Sequence, residues 1–470
     1  MRKTIMSGLF FRVLVALLCC GLFCSTGRAA LRGGCAKVNI TPPLGITLIG
    51  SKGQPSDAVM DDLYAKAMVL SDGVTTVAIV AADLLYTPLE DITNPVRAAI
   101  GEKTGIPGSH VMVCATHTHS GPEVFARTKV PQEGRLPASE VDQSYVQVLI
   151  RKIADAAMIA HHNMQDVRIG AATGSLPEVL YNRRPVMKDG LVKMAFTIPP
   201  EVAATRKIER TDDGDTRITF TLAAEEEPLT FGPIDPAVLA LRMEDTEGRV
   251  VGSLIGFGCH PVSIYPYLST TISADYPAFA TRVVEQMEGG TSLFVLGLAG
   301  NTVPLQRGPE PCEDIGKALG GEVLRRLQLL STTNDVTLKT ASKEITLPIK
   351  RDPSADDPHG TQTPDHITTE IQVLKLGALY VLGLPGEVLV EVGLAIKQEA
   401  AVENLFIVTL ANDAVGYVCH AEAYERGGYE PGSGTNLAKG AGEIIIEQAL
   451  TLLHEINQPH DGNATSQAGP

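Results

Sequence analysis

The chain has no tryptophan, and aromatic residues make up only 5% of it. That leaves little material for the stacked-ring platforms that hold single-stranded nucleic acid or sugars. It also has no excess of basic residues. The 39 Lys and Arg stand against 54 Asp and Glu, a net charge of −15, whereas a phosphate backbone needs a basic face. No nucleic-acid partner is expected. There is no C-x-x-C among the cysteines beyond the first 29 residues, Cys35, Cys114, Cys259, Cys312 and Cys419. They are odd in number and widely scattered, so a disulfide framework is not expected. Cys114 and Cys259 lie in strand-like apolar runs and read as small buried hydrophobes.

The N-terminus carries Met1-Arg2-Lys3, then Arg12, then the apolar run Val13 to Phe23, followed by small residues from Ser25 to Ala30. The apolar run is too short to span a bilayer. This is the layout of a signal peptide over residues 1–29, cleaved after Ala29, and it makes the protein an exported one. Cys19, Cys20 and Cys24 lie within this leader, but bulky residues precede each, which argues against a lipoprotein signal. With 470 residues, 44% of them hydrophobic, the rest can bury a large core as one large domain or two subdomains.

Six apolar, β-branched runs each end in glycine or polar residues. Thr76 to Val80 leads into Asp83, and Val111 to Val113 into a segment with two histidines. Val251 to Phe257 leads into Gly258-Cys-His260, and Leu293 to Leu296 into Gly300-Asn301-Thr302. Leu379 to Leu382 precedes Pro385-Gly386-Glu387, and Leu405 to Val408 precedes Asn412-Asp413. Runs this continuously apolar fit strands covered on both faces. Helical patterns lie between them at Asn94–Thr104, Ser139–His162, Tyr276–Met287, Cys312–Leu330, Val388–Ala401 and Gly440–Ile456. The expected class is α/β, with largely parallel or mixed sheets flanked by helices. In such sheets ligands bind beyond the carboxyl ends of the strands, and every polar tip sits there. Pro199 to Asp235 is acidic and alternating, and reads as an inserted hairpin. Pro353 to His366 reads as a long loop, and the chain beyond about residue 457 as a disordered tail.

The tips hold the chemistry. In Cys114-Ala-Thr-His-Thr-His-Ser-Gly-Pro122, His117 and His119 are two residues apart, so in an extended strand both imidazoles project to one side. An open catalytic zinc site takes three protein ligands from His and carboxylates, and His117, His260 and Glu387 supply that set from three tips. Each has another reading: His260-Pro261 as a turn, Glu387 as an acidic residue at a helix start. The segment Tyr417-Val-Cys-His-Ala-Glu-Ala-Tyr424-Glu-Arg-Gly-Gly-Tyr429-Glu430 adds three tyrosines, and Gly427-Gly428 implies a tight turn bringing Tyr429 back toward Tyr417.

Taken together, these motifs resemble the neutral, non-lysosomal ceramidases, which are zinc-dependent amidohydrolases. The resemblance runs from about Gly34 to about Ala438. It rests on Asn39-Ile-Thr-Pro42, Asp62 to Ala67, Thr116 to Pro122, Asn182-Arg183, Gly258 to His260, Leu384 to Glu387, and the tyrosine segment. It implies a catalytic domain over residues 34–456 and zinc bound by His117, His260, Glu387 and Tyr417. It implies that His119 and Tyr429 are catalytic, and that Asn182 and Arg183 contact the substrate. The alternative for Arg183 is an ordinary surface arginine beside Arg184. The expected activity is hydrolysis of an N-acyl amide such as ceramide by a zinc-bound hydroxide, with a small-molecule or lipid substrate reached from solution or from a membrane surface. Two departures bear on the substrate. Val303, in Gly300-Asn-Thr-Val-Pro304, stands where the family has a serine, and the neighbouring Thr302 points the other way in an extended segment. The family's C-terminal immunoglobulin-like domain has no counterpart after the tyrosine segment. A zinc hydrolase of the same fold for another amide or ester is the alternative, and a non-catalytic binding relative is a more distant one.

Overall fold

The computed structural model describes residues 30–51, 53–124, 143–212, 214–221, 229–350 and 365–458. The expected leader, the tail beyond Gln458 and nearly all of the expected loop at 353–366 lie outside the described residues. The long strands of the first sheet are β1 Arg32–Asn39, β2 Tyr64–Ser71, β3 Thr76–Ala82, β4 Val111–Ala115, β5 Gln165–Ser175, β6 Ala237–Asp245, β7 Val250–Phe257 and β8 Thr291–Leu296. They form one 8-stranded sheet in the order β8-β7-β6-β5-β1-β2-β3-β4. A 4-stranded sheet follows from β9 Leu338–Pro348, β10 His366–Leu376, β11 Leu379–Gly383 and β12 Leu405–Val408, in chain order.

Two-face burial explains the apolar runs. In β3, Ala78, Val80 and Ala82 belong to one core, and Val77, Ile79 and Ala81 to another. The first core lies under α1 Asn94–Thr104, α2 Gln143–His162, α3 Tyr276–Glu288 and α4 Pro309–Leu327. The second is sandwiched between the two sheets, where Met68, Leu241 and Val295 meet Leu374, Val381 and Phe406. A third core packs the far face of the smaller sheet against α5 Val390–Glu399 and the C-terminal helix Ala441–Glu455. The layers therefore run helix, sheet, sheet, helix.

This layering realises the mixed form of the expected α/β class rather than the largely parallel one. Within these two sheets parallel pairing is confined to β3 with β4, β7 with β8, and β11 with β12. The other pairs in the two sheets are antiparallel. A continuous apolar run reports burial on both faces, and a second sheet supplies that cover as well as a helix does, whichever way the strands run. The acidic segment at 199–235 forms a short helix, Pro200–Ala203, and a 3-stranded antiparallel sheet. Cys35, Cys114, Cys259, Cys312 and Cys419 are all free, and all but Cys35 are buried.

β1 lies close against α2. A Cβ on Gly34 would stand 2.2 Å from the Ala160 carbonyl oxygen and 3.0 Å from the Met164 amide nitrogen. Backbone cannot rotate away as a side chain can, so Gly34→Val should destabilise the protein by about 1–3 kcal/mol, the range for overpacking. Urea unfolding measures this. An unchanged midpoint would mean that α2 does not pack on β1 at this point.

Candidate metal centre

His117 and His260 are brought together from the ends of β4 and β7. β4 ends at Ala115, and His117 itself is not extended, with φ of 70°. The two histidines of the His-x-His therefore lie together through a turn rather than through strand alternation, with ring centroids 5.0 Å apart. A left-handed conformation is uncommon in a non-glycine residue and is held by its surroundings. Here the His117 amide donates to the Leu84 carbonyl at 2.8 Å, and its Nδ1 lies 3.0 Å from the Leu85 carbonyl oxygen. His260 is fixed in the same way, with Nδ1 2.7 Å from the Ala299 carbonyl oxygen.

These contacts set the tautomers. A carbonyl oxygen can only accept, so each Nδ1 carries the proton and each Nε2 presents a lone pair. The two Nε2 atoms face one another at 3.0 Å. Glu387 Oε2 joins them, 3.2 Å from His117 Nε2 and 3.4 Å from His260 Nε2. It is buried and has no hydrogen-bond partner. Burial acts to raise the Glu387 pKa, but the adjacent His117 and His260 hold it well below the ordinary glutamate range. Burial likewise opposes a proton on His260, whose pKa is pulled well down. Three ligand atoms thus converge on one point. Donors at about 2.0–2.2 Å from one tetrahedral ion stand about 3.3–3.5 Å apart, close to these separations. The donor set fits a divalent cation such as zinc.

The fourth expected ligand is beside them. Glu387–Val388 pairs in parallel with Tyr417–Val418, and Glu387 stands opposite Tyr417 in the register. Burial, then the Glu387 carboxylate, push the Tyr417 phenol well above its usual pKa. Without a cation to draw off its proton it is a neutral hydroxyl. His119 completes a group with His117 and His260, with one ring nitrogen from each residue within 4.8 Å of the others. Its Nε2 is buried and unpartnered, and its ring stacks on Tyr265 at 5.8 Å. Burial, then His117, keep it neutral.

Other expected residues have different surroundings. Arg183 is buried and committed. Its Nε donates to Glu430 at 2.8 Å, and its Nη2 to the Gly300 carbonyl at 3.0 Å and the Tyr417 hydroxyl at 3.1 Å. It is not a surface arginine, and it positions Tyr417. The Asn182 amide donates to the Pro233 carbonyl at 2.9 Å, and its oxygen accepts from the Arg184 amide. Tyr429 is 39% exposed and packs edge-on against Tyr417 and Phe196, at 5.5 and 5.8 Å. Val303 is fully buried in the first core, paired with Tyr181. The Thr302 hydroxyl is spent on the carbonyls of Gly258 and Leu298, at 2.7 and 3.0 Å.

Sequence reasoning missed three supports. The Tyr86 hydroxyl donates to Glu387 Oε1 at 2.7 Å and so turns Oε2 toward the histidines. A buried tyrosine must find a partner for its hydroxyl, and Tyr86 just beyond the β3 tip was the available signal. Glu430, fully buried, bridges Arg183 and Arg184. The Asn301 amide donates to Glu391 at 2.8 Å, and its oxygen accepts the Val390 amide that opens α5. Removing one partner of a buried ion pair strands the other, at about 3–5 kcal/mol. Glu430→Ala should therefore cost about that much in urea unfolding, and Glu430→Gln less; no loss in either would mean that the arginines are solvated.

No protein-family model matches the chain. Among solved structures it is similar to neutral ceramidase from Pseudomonas aeruginosa, with a TM-score of 0.69 and 19% identity over 93% of this chain and 77% of that one. A ceramidase complexed with C2 is similar to the same extent, with a TM-score of 0.69, 18% identity and the same coverage. At this identity the likeness is one of architecture, and the chain has the neutral ceramidase fold over nearly its whole length.

Proposed function

We propose that the protein is an exported zinc-dependent hydrolase of N-acyl amides. The convergence of His117 Nε2, His260 Nε2 and Glu387 Oε2 within 3.0–3.4 Å carries this reading. The shared fold supports it. Zinc held by His117, His260, Glu387 and Tyr417 would supply Lewis acidity, activating water and polarising the amide carbonyl.

The chain's own residues supply the rest. His119, neutral and with a buried unpartnered Nε2, takes a proton and returns it to the leaving amine. Tyr429 donates a hydrogen bond to the developing oxyanion from the exposed side. Arg183 holds the Tyr417 hydroxyl in place, and Asn182 fixes the turn that carries Arg183. The layout of residues 1–29 supports export through a signal peptide. No helix among the described residues is long and apolar enough to cross a membrane.

Ceramide hydrolysis is expected to be weak, with another amide or ester preferred. Val303 brings no hydroxyl, and Thr302 has none to spare. A site lacking a hydrogen bond on which its relatives rely binds their substrate poorly.

Elemental analysis of the mature protein should find about one zinc per chain. His117→Ala, His260→Ala and Glu387→Ala should each empty the site, and full occupancy in any of them removes that residue from the ligand set. His119→Ala should retain zinc while turnover falls about 10²–10⁴-fold, the range for an acid-base group. Loss of the metal in that variant would make His119 a ligand.

A further inference from the structure

Arg183, which the resemblance places on the substrate, is paired within the protein with a buried carboxylate, Glu430. A second arginine has no such partner. Arg307 is half-buried, and its Nη2 donates to the Phe196 carbonyl at 2.6 Å. Its Nε is buried with no acceptor, and among the described residues no carboxylate lies within ion-pair distance of it. A guanidinium partly withdrawn from water is stabilised by a counter-ion, and the described fold gives Arg307 only a carbonyl hydrogen bond and more distant charges such as Asp275.

Its position is beside the metal centre. The ring of Phe196, whose carbonyl holds Arg307, packs on Tyr429 at 5.8 Å and lies 5.4 Å from the Arg183 guanidinium carbon. The backbone next to Arg307 is tied to the turn that follows His260. The Gly308 amide donates to the Ser263 carbonyl at 2.7 Å, and the His119 amide to the Pro261 carbonyl at 3.3 Å. Arg307 and His119 therefore hang from one turn. Along this turn the buried polar atoms left without partners are His119 Nε2, Ser263 Oγ and Arg307 Nε. Buried polar atoms are nearly always satisfied, so three orphans on linked segments mark a place where a ligand supplies the partners.

We infer that Arg307 binds an anionic group of the substrate, and that the substrate is an N-acyl compound bearing a carboxylate, such as an N-acyl amino acid. This rests on the hydrolase reading above. A carboxylate matches one guanidinium in charge and in its fork geometry, whereas a phosphate dianion would call for a second free cation. It also accounts for the coincidence of Val303 with Arg307: the chain forgoes a hydroxyl suited to a neutral substrate and places a charge nearby.

The test uses N-octanoylglycine and N-octanoylethanolamine, matched in acyl chain and differing in the anion. The zinc-loaded wild type should favour the glycine conjugate at least about tenfold in kcat/KM, in keeping with a charge-assisted bond. In Arg307→Gln this preference should collapse, chiefly through KM, and Arg307→Lys should restore part of it. A wild type that favours the neutral amide, or equal losses on both in Arg307→Gln, overturns the inference. If neither compound is hydrolysed, the hydrolase reading fails on its own, and calorimetry on the metal-free protein then decides the anion site. Tighter binding of N-octanoylglycine than of the ethanolamide by wild type, lost in Arg307→Gln, upholds the site. Equal binding of the two removes it.

Discussion

Three ligand atoms brought to one buried point are the constraint around which this molecule is organised. His117 Nε2, His260 Nε2 and Glu387 Oε2 lie within 3.0–3.4 Å of one another, and all three side chains are buried. Only a stiff frame keeps them converged. The frame is largely backbone. The Leu85 and Ala299 carbonyls clamp the imidazoles, and His117 sits in a left-handed conformation that its neighbours enforce. Gly300 lets the chain pass so close to Glu387 and Val388 that a Cβ would stand 2.6 Å from the Val388 carbonyl oxygen. Tyr86 then selects which carboxylate oxygen faces inward.

Behind this frame lies a second set of charges with a different purpose. Arg183 and Arg184 share one carboxylate, Glu430, in full burial. Such a group contributes little net stability compared with apolar packing, but it fixes geometry, because each member is expensive to strand. The geometry that it fixes is that of Tyr417, through the Arg183 Nη2 contact.

The sequence made the tips legible because their chemistry is local: histidine, glutamate and tyrosine at the ends of apolar runs. The helices were legible too, to within a few residues. What could not be read was what depends on partners distant in the chain. Apolarity in β3 and β7 announced burial on both faces without saying that another sheet, rather than helices, covers one of them. The His-x-His spacing put both rings on one side, but the turn that does so needs Leu84, more than thirty positions away in sequence. The contacts that hold Arg183 could not be read either, because its partner Glu430 is 247 residues distant. Arg307 had no motif at all; the buried Nε of Arg168, Arg217 and Arg242 is unpartnered too, but those three have carboxylates within ion-pair distance.

The donor set is divided between the two sheets. His117 and His260 leave the 8-stranded sheet, whereas Glu387 and Tyr417 follow strands of the 4-stranded one. The Tyr86–Glu387 bond alone spans 301 residues of chain. Contacts of such sequence separation carry the largest loop-closure cost and form late. The proposed cation site is therefore a seal set after the layers have docked, and an ion captured there would hold the two sheets together by mass action, since the unfolded chain offers no such cluster. Under the proposed function, capture of the metal would be the closing event of folding as well as the first of the working life.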